Sequence, residues 1–305
     1  MSFYRRTQLW LSAGVLAVPS LGNNLRAQGL PPIQTRTGLQ LLVADEHANP
    51  TIGVILPGRP VSDRAIEVVF PEHITAVRQG STEAAPLYRW QPGPRGDRPK
   101  WRHLGNALEY ERDLPGQIHF LARATLDPDG VRFHYEFRNG STVAYSMIYA
   151  VTDPRLTAGF QDVRLERTYV HYPTGFALLA AETPERLTMP LDKWLPARYL
   201  ASFTWPVPVQ RTERRADGVT YYNTTHAVDQ PLIATRSADS AWVVASFARN
   251  PGNVWSNPEL TCQHVDPQTT LAAGETAVLE VKILVLHGTL DDALRQVIAQ
   301  RSTLK

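Results

Sequence analysis

The chain has 305 residues, with 31 basic and 29 acidic side chains, a formal net charge of +2 and charged residues at 20% of its length. Such a balance, without a long single-sign run, excludes the electrostatic footprint of a nucleic-acid binder. A lone cysteine, Cys262, excludes an intramolecular disulfide framework, so stability has to come from core size.

At the N-terminus Arg5 and Arg6 precede an apolar run from Leu9 to Val18, followed by small and polar residues. That is the layout of a secretory signal, and the run is shorter than the roughly 20 apolar residues a bilayer span needs. The expectation is a signal peptide over residues 1–28, cleaved near Ala27, with the paired arginines pointing to twin-arginine export. Residues 29–305 then form one periplasmic or secreted domain with no stable membrane span, a size that large all-β units commonly reach.

Further along, short apolar or alternating runs are separated by Gly, Pro, Asp and Asn. LQLLVAD, IEVVF, QIHFLARATL, VRFHYEF, AYSMIYAV, FALLAAE, GVTYYNTT, AWVVASFA and TAVLEVKILVL all have strand length and are rich in β-branched or aromatic residues. Asp129-Gly130 joins two of them as a hairpin turn would. The 24 prolines argue against long helices. Only at the end does the period change: Thr289 can cap a helix with Asp292 three residues on, and Leu290, Leu294, Val297 and Ile298 form one apolar stripe. The pattern predicts an all-β protein with a short C-terminal helix packed on a sheet.

Two segments carry a resemblance. GQIHFLARATLDPDGVRFHYEFRNGS resembles the hairpin of galactose mutarotase-like proteins, where two strands about an Asp-Gly turn run into an N-x-S turn. TCQHVDPQTTLAAGETAVLEVKILV is similar to their closing segment. The resemblance implies a large antiparallel β-supersandwich with a sugar-binding cleft on a concave sheet face. In aldose epimerases of that family a glutamate two residues after the cysteine-like position is the general base, and a histidine in an H-P-Y-F-like string protonates the ring oxygen. Here His264 stands at the first position, and STVAYSMIYAVTDPRL contains no histidine. The usual acid and base are both missing, so the resemblance does not extend to ordinary mutarotation.

The remaining polar residues supply the candidate site. Alternation along 259–264 puts Leu260, Cys262 and His264 on one strand face and Glu259, Thr261 and Gln263 on the other. Glu259 and His264 are candidate proton-transfer residues, against the plainer reading of His264 as a core histidine. In RTYVHYPTG, Arg167, Tyr169 and His171 share a face, where His171 could move a proton and the other two could hold a carboxylated or hydroxylated sugar. His226 and Asp229 stand three apart at a strand end, with Asp229 placed to orient the imidazole. Trp255 to Asn257 follows Pro251-Gly252 and precedes Pro258, so it reads as a loop whose tryptophan stacks on a sugar face. Asp266-Pro267 reads as the start of a turn. No recognisable zinc, phosphate or nucleotide motif occurs, and neither a cofactor nor a metal is expected.

Two functions stay open. One is a carbohydrate-processing isomerase, lyase or hydrolase built on these residues; the other is a non-catalytic glycan-binding or structural module on the same scaffold. The partner expected for the enzyme and for the glycan-binding module alike is a carbohydrate.

Overall fold

A computed structural model describes residues 30–305 apart from 45–48, 92–97, 182, 184–187, 189, 191–196, 204–211, 215, 217, 225 and 259–260, with backbone alone at 212–214. The expected signal and residue Glu259 lie outside the described residues.

Among the described residues the strands form three sheets. The first has ten strands, in the spatial order Ile33–Gln34, Gln40–Val43, Thr51–Ile55, Ile66–Val69, Asp153–Leu156, Cys262–Val265, Asn253–Asn257, Ala197–Ser202, Thr220–Asn223 and Thr212–Arg214. Its pairs are antiparallel except for Ala197–Ser202 beside Thr220–Asn223, which run parallel. The second has nine, centred on the long strands Ile118–Asp127, Gly130–Asn139, Thr276–His287 and Trp242–Ala248. The third has four: Gln268–Leu271, Tyr145–Ala150, His73–Arg78 and Ala84–Arg89. The protein is thus an antiparallel β-supersandwich with one C-terminal helix, as its alternating runs predict.

Period-two patterning explains the layering. Along Thr276–His287, Leu279, Val281, Ile283 and Val285 enter the main core together with Phe133, Tyr135 and Phe137 from the neighbouring strand and Val254, Val265 and Tyr199 from the first sheet. The opposite face of the second sheet carries Leu232, Ala234, Val243, Ala245, Phe247 and Leu284, and the helix Leu290–Gln300 covers it with Ala293 and Val297. Thr289 and Asp292 make the predicted capping box. The stripe differs in one place: Ile298 is 54% exposed, and Ala293 takes the buried position instead.

The Asp129-Gly130 turn closes the hairpin between Ile118–Asp127 and Gly130–Asn139. Gly130 has φ 150°, and a Cβ there would lie 2.0 Å from the Ile283 carbonyl oxygen, so only glycine lets the neighbouring strand approach. Lys282, 1% exposed, reaches this turn from the long closing strand and donates to Asp129 at 2.8 Å and to Asp127. Gln300 of the helix donates to Asp129 at 2.6 Å. The buried ammonium ties the closing strand to the hairpin, and Gln300 ties the helix to the same Asp129. The run FALLAAE is strand only to Leu178, where the chain turns.

Candidate functional site

Between the outer face of the first sheet and the third sheet lies an open cleft of about 810 Å³. Its floor follows from strand register. Arg155 pairs with Cys262, Cys262 with Asn257, His264 with Trp255, and Trp255 with Leu200. Because alternate residues share a face, Asp153, Cys262, His264 and Asp266 point the same way as Asn253, Trp255 and Asn257 on the neighbouring strand and as Arg198 on the next. The intervening residues face inward: Val254, Val265 and Tyr199 are core, and Gln263 hydrogen-bonds Thr235 of the second sheet. The third sheet supplies the opposite wall with His73, Thr75 and Tyr149, and Trp90 stands beside it.

His264 is the centre of this floor. It is 1% exposed, with Nε2 3.2 Å from Asp153 Oδ1 and Nδ1 3.6 Å from Asp266 Oδ1. The indole of Trp255 stacks on the imidazole, centroids 3.9 Å apart and planes 19° from parallel, and its N–H donates to Asp266 Oδ2 at 2.8 Å. Burial alone would push His264 down, but the Cys262 sulfur and the carboxylates of Asp153 and Asp266 hold it well above the ordinary histidine value. Burial opposes the ionisation of Asp153 as well, yet His264 and Arg155 keep it below the usual carboxylate range. Burial, followed by the charge of Asp153, pushes the Cys262 thiol up.

Around this centre the charges are shared. Arg155 Nε donates to Asp153 Oδ2 at 2.8 Å, its Nη2 lies 3.8 Å from Glu72 Oε1, and its guanidinium carbon sits 5.2 Å from the Trp90 ring centre. Arg198 donates to the Tyr221 hydroxyl at 2.9 Å, with its guanidinium 5.3 Å from the Trp255 ring centre. Asn253 Oδ1, Asn257 Oδ1 and Asp266 Oδ1 are buried acceptors with no hydrogen-bond partner among the described residues.

The structure divides the residues that the sequence singled out. His264, Trp255 and Asn257 line this cleft. Tyr169 and His171 lie on a strand of the second sheet, outside it. Arg167, expected to meet a substrate, spends its guanidinium on the backbone carbonyls of Gly159, Gln161 and Arg236. Asp229 accepts from His171 at 2.6 Å rather than orienting His226, which is exposed and packs edge-on to Tyr172. The Trp255–Asn257 segment is not a loop but part of the strand Asn253–Asn257. Trp255 is therefore held as a cross-strand neighbour, and one of its faces is already covered by His264. Asp266 does more than begin a turn, since it anchors that indole. Sequence reasoning missed Asp153, Arg198, Trp90 and Tyr149. The signal for Asp153 was present, because the string lacking the expected histidine, AVTDPRL, carries an aspartate.

No family model matches the sequence, and no curated protein matches it. Among solved structures, the chain is similar to a galactose mutarotase-like protein from Lactobacillus casei, at 12% identity over 85% of this chain and 100% of that one, with a TM-score of 0.49. It is also similar to a galactose mutarotase related enzyme from Lactobacillus acidophilus, at 10% identity over 85% and 98% of the two chains and a TM-score of 0.49. A third is an α-N-acetylgalactosaminidase from Bifidobacterium bifidum in complex with GalNAc, at 11% identity over 89% of this chain and 39% of that one, TM-score 0.47. Identity and TM-scores of this order transfer no activity.

Proposed function

We propose that the cleft binds a carbohydrate and that the Asp153–His264 pair in its floor is the place where the sugar reacts. The observation that carries this is the convergence, in one open cleft, of aromatic edges and faces from Trp90, Tyr149, Tyr221 and Trp255 with the unpartnered acceptors of Asn253, Asn257 and Asp266. An unmet buried acceptor costs about 1–3 kcal/mol, and the hydroxyls of a polyol are donors that would meet it. Aromatic rings supply contact for the C–H faces of the same ligand at little entropic cost. A carboxylate and an imidazole side by side can exchange protons with a hydroxyl or ring oxygen laid over them. Export belongs to this proposal, supported by Arg5, Arg6 and the apolar run after them.

A second reading, binding without turnover, is favoured by one observation: His264 and Asp153 are each only 1% exposed, so the reacting groups barely reach the cleft surface.

Tryptophan fluorescence of the mature protein, titrated with neutral, amino and acidic mono- and oligosaccharides, tests the binding claim. Tyr149→Ala should weaken the best ligand about tenfold, the worth of roughly 1–1.5 kcal/mol of aromatic contact, whereas His171→Ala should leave it unchanged. If no saccharide perturbs the signal, or if both variants behave alike, the cleft is not a sugar site. Chromatography of the same mixtures for new products separates turnover from binding alone.

A further inference from the structure

We infer that Asp153, Cys262 and His264 form a binding site for one borderline transition-metal dication, zinc being the type, with a fourth position open to the cleft. The inference goes beyond the sugar reading and does not rest on it.

Three donor types meet here: one ligand atom from each residue lies within 4.8 Å of the other two, and none of the residues is more than 2% exposed. The relation between two of them is informative. Asp153 Oδ1 stands 3.2 Å from His264 Nε2 yet takes part in no hydrogen bond, so the ring N–H axis is not aimed at the oxygen. Two ligands of a tetrahedral dication, each about 2.0–2.1 Å from the ion, stand about 3.3 Å apart while both point at a third position beside them. The separation and the misalignment are those of neighbours around a common centre. Arg155 occupies the other carboxylate oxygen, Oδ2, and leaves Oδ1 for ligation.

The surroundings complete the case. Asp266 Oδ1 lies 3.6 Å from His264 Nδ1, and both atoms lack a hydrogen-bond partner. A small turn of the ring would close that bond and give the carboxylate–histidine–metal relay that fixes the tautomer of a ligating imidazole. Trp255, stacked on the ring and anchored to the same Asp266, limits that turn. Cys262 and His264 both line the cleft, so an incoming oxygen has access to the remaining position. A thiolate ligand excludes the hard cations calcium and magnesium and suits zinc, cobalt or a similar ion. Binding replaces the Cys262 S–H bond by a sulfur–metal bond and releases that proton to solvent. A dication so placed would polarise a sugar hydroxyl or carbonyl oxygen.

The test uses the mature chain, stripped with chelator and titrated with Co²⁺ under reducing conditions. The expected result is one equivalent bound, with a thiolate-to-cobalt charge-transfer band in the near ultraviolet that is absent in Cys262→Ser. Affinity should fall at least a hundredfold in His264→Ala, about 10- to 100-fold in Asp266→Asn, and not at all in His171→Ala. A wild-type protein without the thiolate band, whose reading depends on no variant folding, overturns the inference, as does unchanged affinity in His264→Ala. Sugar titration of the stripped protein keeps the two ideas apart: saccharide binding without a metal site sinks only this one, and a metal site without saccharide binding sinks only the other.

Discussion

Replacing Asp153 by asparagine keeps the shape of the side chain and removes one charge from a group that is 1% exposed. Its two oxygens lie 2.8 Å from Arg155 Nε and 3.2 Å from His264 Nε2. Breaking a buried pair by removing one partner costs about 3–5 kcal/mol, because the other charge is left without compensation. Arg155 keeps Glu72 at 3.8 Å and its side chain is 24% exposed, so the orphaned guanidinium is partly hydrated. That lowers the expected loss to about 2–3 kcal/mol. At roughly 2–4 °C per kcal/mol for a chain of this size, the melting temperature of the metal-stripped protein should drop by roughly 5–10 °C. Urea unfolding gives the free energy directly. A double-mutant cycle with Arg155→Met identifies the cause: the double variant should be more stable than Asp153→Asn alone, with a coupling of about 1 kcal/mol or more. The reasoning is refuted if Asp153→Asn lies within about 0.5 kcal/mol of wild type, the range of an ordinary surface change, or if the two substitutions simply add.

Other parts of the fold give further expectations. Gly130→Ala forces a Cβ to 2.0 Å from the Ile283 carbonyl oxygen, and a loss of roughly 2–3 kcal/mol should appear as a lower urea midpoint at unchanged slope. Burial opposes ionisation of Asp129, but hydrogen bonds from Lys282 and Gln300 hold its carboxyl below 3.8. A depressed folded value means that its contribution is complete above the unfolded value and disappears as pH falls through the folded one. Stability of wild type relative to Asp129→Asn should therefore be flat from pH 7 to about 5 and shrink below about pH 4, a window set by the ordinary Asp value of about 3.9; a difference that does not shrink at all below about pH 4 would refute this. Thr289→Ala removes the side-chain half of the capping box, leaving the bond from the backbone N–H of residue 289 to the Asp292 carboxylate, and should cost about 1 kcal/mol, read as faster amide exchange in the helix Leu290–Gln300 with little change in the central strands.

Strand periodicity and turn chemistry were legible from the sequence because each is written within a dozen residues. The Asp129-Gly130 hairpin, the switch to helical spacing after Gly288 and the shared face of Cys262 and His264 all follow from local pattern. The composition of the floor was not legible in the same way. Asp153 and His264 are more than a hundred residues apart and meet only because Asp153–Leu156 pairs with Cys262–Val265, a register no local pattern announces. Trp255 misled for a different reason: Pro and Gly before it and Pro after it look like a loop, while the cross-strand bonds to Ala197–Ser202 and Cys262–Val265 hold Asn253–Asn257 extended. Tyr169 and His171 do lie along one strand, Thr168–Tyr172, with Arg167 just before it, but alternation cannot say which sheet that strand joins, and it joined the second.

The strands under the cleft serve two environments at once, with every other residue given to the cleft side and its neighbours given to the interior. Point substitutions at positions such as 198, 253, 257 and 266 can thus rewrite the lining of the cleft while Val254, Tyr199 and Val265 go on filling the middle of the molecule. Gain or loss of a single residue within those strands would do the opposite, turning His264 inward and a valine outward. The lining of the cleft is therefore open to changes of letter but closed to changes of length, and saturation libraries aimed at it should be drawn accordingly.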